Sequence, residues 1–477
     1  MKKLLVLLLV NAVLILCVAC FDGKENPSIK ATEDGGTPTQ SQSPSMTTPT
    51  TDPVGEATEP VELDEVHFVK SATISETALY DKNDVRITAT EIEYTNYYVK
   101  VKLLFENNTE TSLSFVSGSM AYCCNSINNY MMYGGFVNCN VEAGKKAYDT
   151  VNFEYQELMM CGILAIEEME LAFNIFDEDR NVNIQTGPMR LTTSIDGTAD
   201  NLNMSFREAV SNVAIQKIYE YTIDFVKCET FYEKNEVSIV SAGVLITEED
   251  TLLLLEVSNK GSQQINFAVG DIAINGIVVS WGIYETETIN VGKTGIITVK
   301  LTSVLDSELW EVLDISGIDS VSANISLKDM DHEIVVDKTL VSFSRDEQSE
   351  IVNTDGVELY NSDEIRVIYK GMVEDASEYS EDLYVVLLIE NMGERAIQVD
   401  GKSNSLSVNG VMFGYFGFKS VKLHERQYGV VIVTLSDANF ENVGISNTSD
   451  IRNIELVLRL HENYDTLDEP TISIVFQ

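Results

Sequence analysis

One nine-residue segment occurs three times in this chain, and that repetition limits the fold more than any other feature. Leu79-Tyr80-Asp81-Lys82-Asn83-Asp84-Val85-Arg86-Ile87 returns as Phe231-Tyr232-Glu233-Lys234-Asn235-Glu236-Val237-Ser238-Ile239 and again as Leu359-Tyr360-Asn361-Ser362-Asp363-Glu364-Ile365-Arg366-Val367. Repetition at this spacing means several units of one architecture. About twenty residues later each copy has an alternating apolar run that closes on asparagine. The runs are Val101, Leu103, Phe105, Asn107; Leu253, Leu255, Val257, Asn259; and Val385, Leu387, Ile389, Asn391. Period-two alternation ending in a polar turn predicts a half-buried strand. Asn128-Asn129, Asn275-Gly276 and Asn409-Gly410 follow, dipeptides suited to the positive φ angles of a tight hairpin. Later, Ile166 to Met169, Ile318 to Val321 and Ile451 to Ile454 each open another alternating strand.

This order of short strands and turns predicts an all-β protein of three tandem immunoglobulin-like antiparallel β-sandwich domains. Their expected bounds are 67–194, 223–345 and 346–477. Between the first two, Ser205 and Glu208 form a capping box, and Phe206, Ala209, Val213 and Lys217 fall on one helical stripe, so 195–222 is read as a helical spacer. The segments LYDKNDVRITA, VKLLFENN, VEAGKKA and IEEMELAFNIFD of the first copy resemble an uncharacterised sandwich module that recurs in lipoproteins of Firmicutes. The third copy matches least, with Arg426 where the others have Gly144 and Gly292. The resemblance spans residues 67 to 477. It implies an envelope location and a binding or structural role, and brings no catalytic residue with it.

The start of the chain agrees with that location. Lys2 and Lys3 precede an apolar run from Leu4 to Ala19 that is too short to span a bilayer comfortably. Leu16-Cys17-Val18-Ala19-Cys20 resembles the lipobox of bacterial lipoproteins, with Cys17 where an aliphatic residue is usual. Residues 1–20 are expected to be the signal peptide and Cys20 the site of lipid attachment, acylated with palmitate-type chains. The segment 21–66 holds six of the eight prolines and is rich in Thr and Ser, so it is expected to be a disordered linker. The expected location is the extracellular face of the cell membrane, held by the lipid.

Composition excludes some functions. With 32 Lys and Arg against 75 Asp and Glu, the net charge of -43 repels phosphate backbones, so nucleic acid is not an expected partner. The four histidines stand at unrelated places in the copies, and no phosphate-binding loop, His-Glu-x-x-His or Gly-x-Ser-x-Gly motif is present. No enzyme activity, cofactor or metal is expected. Cys123 or Cys124 is a candidate for a disulfide to Cys139 across the first hairpin, as exported chains allow. The acidic turns Asp177-Glu178-Asp179 and Asp329 with Asp331 are read as solvated turns rather than calcium sites.

The reading that follows is a non-enzymatic envelope lipoprotein whose modules bind or space. A carbohydrate or cell-wall glycan binder is the first alternative, and an acidic surface hydrolase the second. The candidate contact surface is the aromatic strand of the third copy, Met412, Phe413, Tyr415, Phe416 and Phe418, which would face an envelope protein or wall glycan. A strand so rich in rings puts apolar groups on both faces of its sheet. Three outcomes stay open for the outer set: a neighbouring copy covers it, glycines bend the strand inward, or a partner takes it.

Overall fold

The computed structural model describes residues 66–476 apart from 119–123, 199–201, 280–283, 302–306, 330–332, 346–351, 375–381, 415 and 463–464. Cys20 and the linker therefore lie outside the described residues. Residues 62–477 form one compact unit.

Alternation builds each copy. In the strand Tyr98–Asn107 every second side chain, Val99, Val101, Leu103 and Phe105, is fully buried while the intervening ones reach the surface. Copy one pairs Thr77–Lys82, Val85–Tyr94, Tyr98–Asn107 and Lys145–Glu154 in an antiparallel sheet. Copies two and three repeat the last three of these strands as Val237–Thr247, Thr251–Asn259, Thr294–Lys300 and Ile365–Glu374, Leu383–Asn391, Tyr428–Leu435. The last strand of each set is called the seam strand below. The remaining strands of each copy close a second layer over an apolar core.

Asn107, Asn259 and Asn391 are completely buried. In each, Nδ2 donates to the carbonyl four residues on, at Thr111, Gln263 or Arg395. It also donates across the sandwich to the residue ending a strand of the other sheet: Val141 at 2.8 Å, Ile289 at 3.0 Å or Leu423 at 3.4 Å. Oδ1 accepts the N–H two residues on, at Thr109, Gly261 or Gly393. One side chain thus ties the two layers together at the same place in all three copies. The turn before each seam strand carries a left-handed residue, Gly144, Gly292 or Arg426, with φ of 65°, 73° and 56°. Arg426 keeps the conformation that glycine adopts more easily.

Strands pair across the expected bounds of the copies. The hairpin Asn125–Ile127, Tyr130–Met132 of copy one places Tyr130 parallel to Thr294 on the seam strand of copy two. In copy two the hairpin ending at Ile277–Val278 lies parallel to Tyr428 and Gly429 of copy three. Two sheets, of nine and ten strands among the described residues, therefore run across the copy boundaries. The modules are three copies, but not the three self-contained sandwiches that the sequence suggests. The reason is the outer face of the first sheet. Leu245 and Leu254 in copy two, and Ile368, Val386 and Leu388 in copy three, are buried in the core of the preceding copy. The matching face of copy one has Lys102, paired with Glu91 and Glu93.

The spacer is also part of the first joint. Ser205 and Glu208 make the expected capping box, but the helix stops after Ser211, and a second begins at Val213 with Asn212 as its cap. The predicted single stripe is broken there. Phe206, Ala209, Val210 and Ile215 turn inward beside Leu245 and Leu254, while Val213 is 63% exposed.

Candidate interaction surface

The joints are built from one hairpin whose turn is the same in every copy. Asn128, Asn275 and Asn409 have φ of 46°, 48° and 53°, and Asn129, Gly276 and Gly410 follow at 71°, 78° and 76°, the mirror-image turn that matches strand twist. The first asparagine is locked. Its Oδ1 accepts the N–H groups of Glu167 and Glu168, of Asp319 and Ser320, or of Arg452 and Asn453. Its Nδ2 donates to the carbonyl of Ala165, Gly317 or Asp450. Each hairpin is thereby aimed in one direction relative to its sandwich.

In copies one and two the hairpin is covered. Thr294 N donates to Asn129 O at 2.9 Å, Tyr130 Oη donates to Glu256 at 3.0 Å, and Lys293 Nζ lies 2.9 Å from Glu170 Oε1. At the second joint Lys370, with a buried side chain, sits 3.4 Å from Asp314. Met131, Ile277 and Val278 are all below 5% exposed. In copy three the same hairpin, Ser407–Val408 and Val411–Met412, has no strand beyond it among the described residues, and Val411 and Met412 are 46% and 57% exposed.

This changes the expected contact surface. Phe413 is not on it: at 1% exposure its ring belongs to the core of copy three, close to Phe440. Phe416 and Phe418 are half-buried against the same core, with Phe418 filling the space above Gly401. Tyr415 lies outside the described residues. Among the described members of the expected set, Met412 alone is clearly exposed, and sequence reasoning missed its neighbour Val411. With Phe413 buried and Phe416 and Phe418 half-buried, the described rings do not form the exposed aromatic row that would favour the glycan reading.

The expected disulfide is not made either. Cys139 carries a free thiol in the core of copy one, whereas Cys124 packs into the core that copy two fills. The two cysteines face different interiors. Cys123 lies outside the described residues. Cys161, buried beside a hollow of about 320 Å3 that Asn128, Tyr130 and Asn203 also line, has its thiol pushed far up by burial, so it is a poor nucleophile.

Reading the sequence also missed an acidic group at the first joint. Glu157 Oε1 accepts the N–H groups of Tyr133 and Gly134, just past the hairpin, at 2.7 and 3.1 Å. Burial lifts its carboxyl to about 7, although those two hydrogen bonds oppose the shift. Glu287 of copy two is raised to about 8 by burial and by the nearby charges of Glu285 and Glu157. Carboxyls raised in the fold stay neutral while their unfolded counterparts ionise. Their contribution is complete below the unfolded value of 4.5 and is lost as pH climbs toward 7 to 8. Part of each residue reaches solvent, which reduces the effect to about 2 kcal/mol. Thermal melting should therefore fall between pH 5.5 and 8, and Glu157→Gln should flatten that slope; a parallel slope in the variant would remove Glu157 from the account.

No family model and no curated protein matches the chain. Among solved structures, it is similar to a bacterial ice-binding adhesin involved in host cell surface retention at 10% identity, covering 79% of this chain and 90% of that one with a TM-score of 0.12. The BSP domain of a biofilm-associated protein is similar at 9% identity over 87% and 68%, with a TM-score of 0.14. An exo-chitosanase of Amycolatopsis orientalis is similar at 7% identity over 85% and 79%, with a TM-score of 0.16. Superpositions this loose carry no argument about role. The all-β architecture stands on the strand pairing itself.

Proposed function

We propose that this chain is a non-enzymatic, lipid-anchored envelope protein in which three fused sandwiches act as a spacer that presents the end of copy three. The observation that carries this reading is the pair of sheets that cross the copy boundaries. They fix successive copies in register instead of leaving them hinged, which suits a spacer better than a string of loose binding modules. The order along the chain supports it. Cys20 and the linker precede copy one, whose outer sheet face is charged, and the uncovered hairpin belongs to copy three.

Two measurements test this. Replacing Cys20 by Ala should move the protein from the membrane fraction to the medium, and unchanged membrane retention would disprove the lipid anchor. On intact cells, Met412→Cys in a Cys228→Ser background should react with a membrane-impermeant maleimide. Failure to label intact cells, with normal labelling of the purified protein, would overturn the outward presentation of copy three.

A further inference from the structure

The two joints are the same interface made twice, and among the described residues copy three leaves one half of it unpaired and copy one the complementary half. Tyr130 of the first hairpin and Ile277 of the second occupy one position, and they face Thr294 and Tyr428, which also correspond. The unused hairpin is Val411–Met412. The unused seam strand is Lys145–Glu154 of copy one, which pairs along one side with Tyr98–Asn107 and, among the described residues, has an open edge on the other.

From this repetition we infer that the uncovered hairpin of copy three docks on the seam strand of copy one in a second molecule of the same chain. The register follows from the joints already made: Val411 against Lys146, and Met412 against Ala147. Charge agrees with it. At the first joint Lys293 pairs with Glu170. The residue matching Lys293 in copy one is Lys145, placed opposite Asn107 as Lys293 is placed opposite Asn259. The residue matching Glu170 in copy three is Glu455, opposite Ser407 as Glu170 is opposite Ser126. Lys145 and Glu455 are both exposed, so the ion pair of the inner joint has both its members waiting at opposite ends of the chain.

The contact is weaker than the inner joints for two reasons visible in the residues. Lys102 and its two glutamates replace the leucine and valine that pack face to face inside the chain. Ala147 also stands where the inner joints have Gly295 and Gly429; a Cβ at Gly295 would overlap Tyr133 Oη of copy one, and a Cβ at Gly429 would lie 3.3 Å from Val278 O of the incoming hairpin, so a neighbour on the incoming side must give. The interface is heterologous, since each molecule offers a different patch, so association runs head to tail and does not close into a dimer. It is an edge contact that becomes populated at high surface density.

Cysteine cross-linking of the full chain tests it, again in a Cys228→Ser background. Chains carrying Met412→Cys mixed with chains carrying Ala147→Cys should give a joined pair under mild oxidation, and the double variant should give a ladder. Adding Glu455→Lys to the first partner should cut the yield several-fold, and adding Lys145→Glu to the other should restore it. Light scattering of the chain carrying only Cys20→Ala, which has no lipid to associate through and no change at the interface, should show mass rising over a concentration series without a plateau at the dimer. The inference is overturned if Met412→Cys joins equally well to a cysteine placed at exposed Tyr97, if the charge reversals change nothing, or if the Cys20→Ala chain stays monomeric throughout. None of these outcomes depends on whether Cys20 carries lipid.

Discussion

Residues 346–477 expressed alone will aggregate or remain unfolded, although they contain every strand of the third sandwich. Cutting the chain there uncovers Ile368, Val386, Leu388, Val430 and Ile432, none more than 2% exposed in the whole protein. All five are packed into the core of copy two. At roughly 2 kcal/mol for each buried aliphatic side chain, about 10 kcal/mol is lost together, as much as an ordinary domain has in total. Copy one shows how a copy survives with this face in water: Lys102 stands at the place of Val386 and Thr150 at that of Ile432, judged by their matching positions in the ladders. Putting Val386→Lys and Ile432→Thr into the fragment should recover a soluble, cooperative β protein by circular dichroism. A fragment that melts cooperatively near the temperature of the whole chain, with no such changes, would show that the shared sheets add little.

The second large effect is expected at Asn259. Replacing it by Ala removes two donors and one acceptor of a buried side chain, and takes this partner from the carbonyls of Gln263 and Ile289 and the N–H of Gly261. Leaving the buried Ile289 carbonyl unpaired, with the half-exposed Gly261 N–H and exposed Gln263 carbonyl turning to water, costs about 2 kcal/mol, enough to lower the melting temperature by several degrees. Asn259→Asp keeps an acceptor for Gly261 but not the donors, so it should also destabilise. Because copy two carries both joints, the loss should reach copies one and three, and chemical denaturation should show one displaced transition. A change below about 0.5 kcal/mol in Asn259→Ala would mean that the two layers are held at this point by packing alone.

Much of this architecture could be read from residues close in sequence. The strand ending at Asn107 was legible because burial alternates along it, and the hairpins because asparagine and glycine tolerate positive φ. The capping box at Ser205 and Glu208 is a contact across three residues. What escaped reading was long-range. Tyr130 meets Thr294 through strands of only a few residues, too short to carry a pattern of their own. A signal for the joints was nevertheless present: at one place on the outward face the copies carry Lys102, Leu254 and Val386. One charged residue and two apolar ones there separate a capping copy from two covered ones. The rings near Phe413 misled for a related reason. A strand with apolar groups on both sides reads as an exposed site only if nothing lies above it, and there the core of copy three took the rings in.

Among the described residues, copy two alone carries a used hairpin and a used seam strand at once. Any unit with both complementary halves can follow itself, so duplicating that stretch in frame would set Ile277 and Val278 of one unit beside Thr294 and Gly295 of the next without a new surface having to arise. Reach can thus be lengthened by insertion in the middle, while the charged beginning and the open end keep their places.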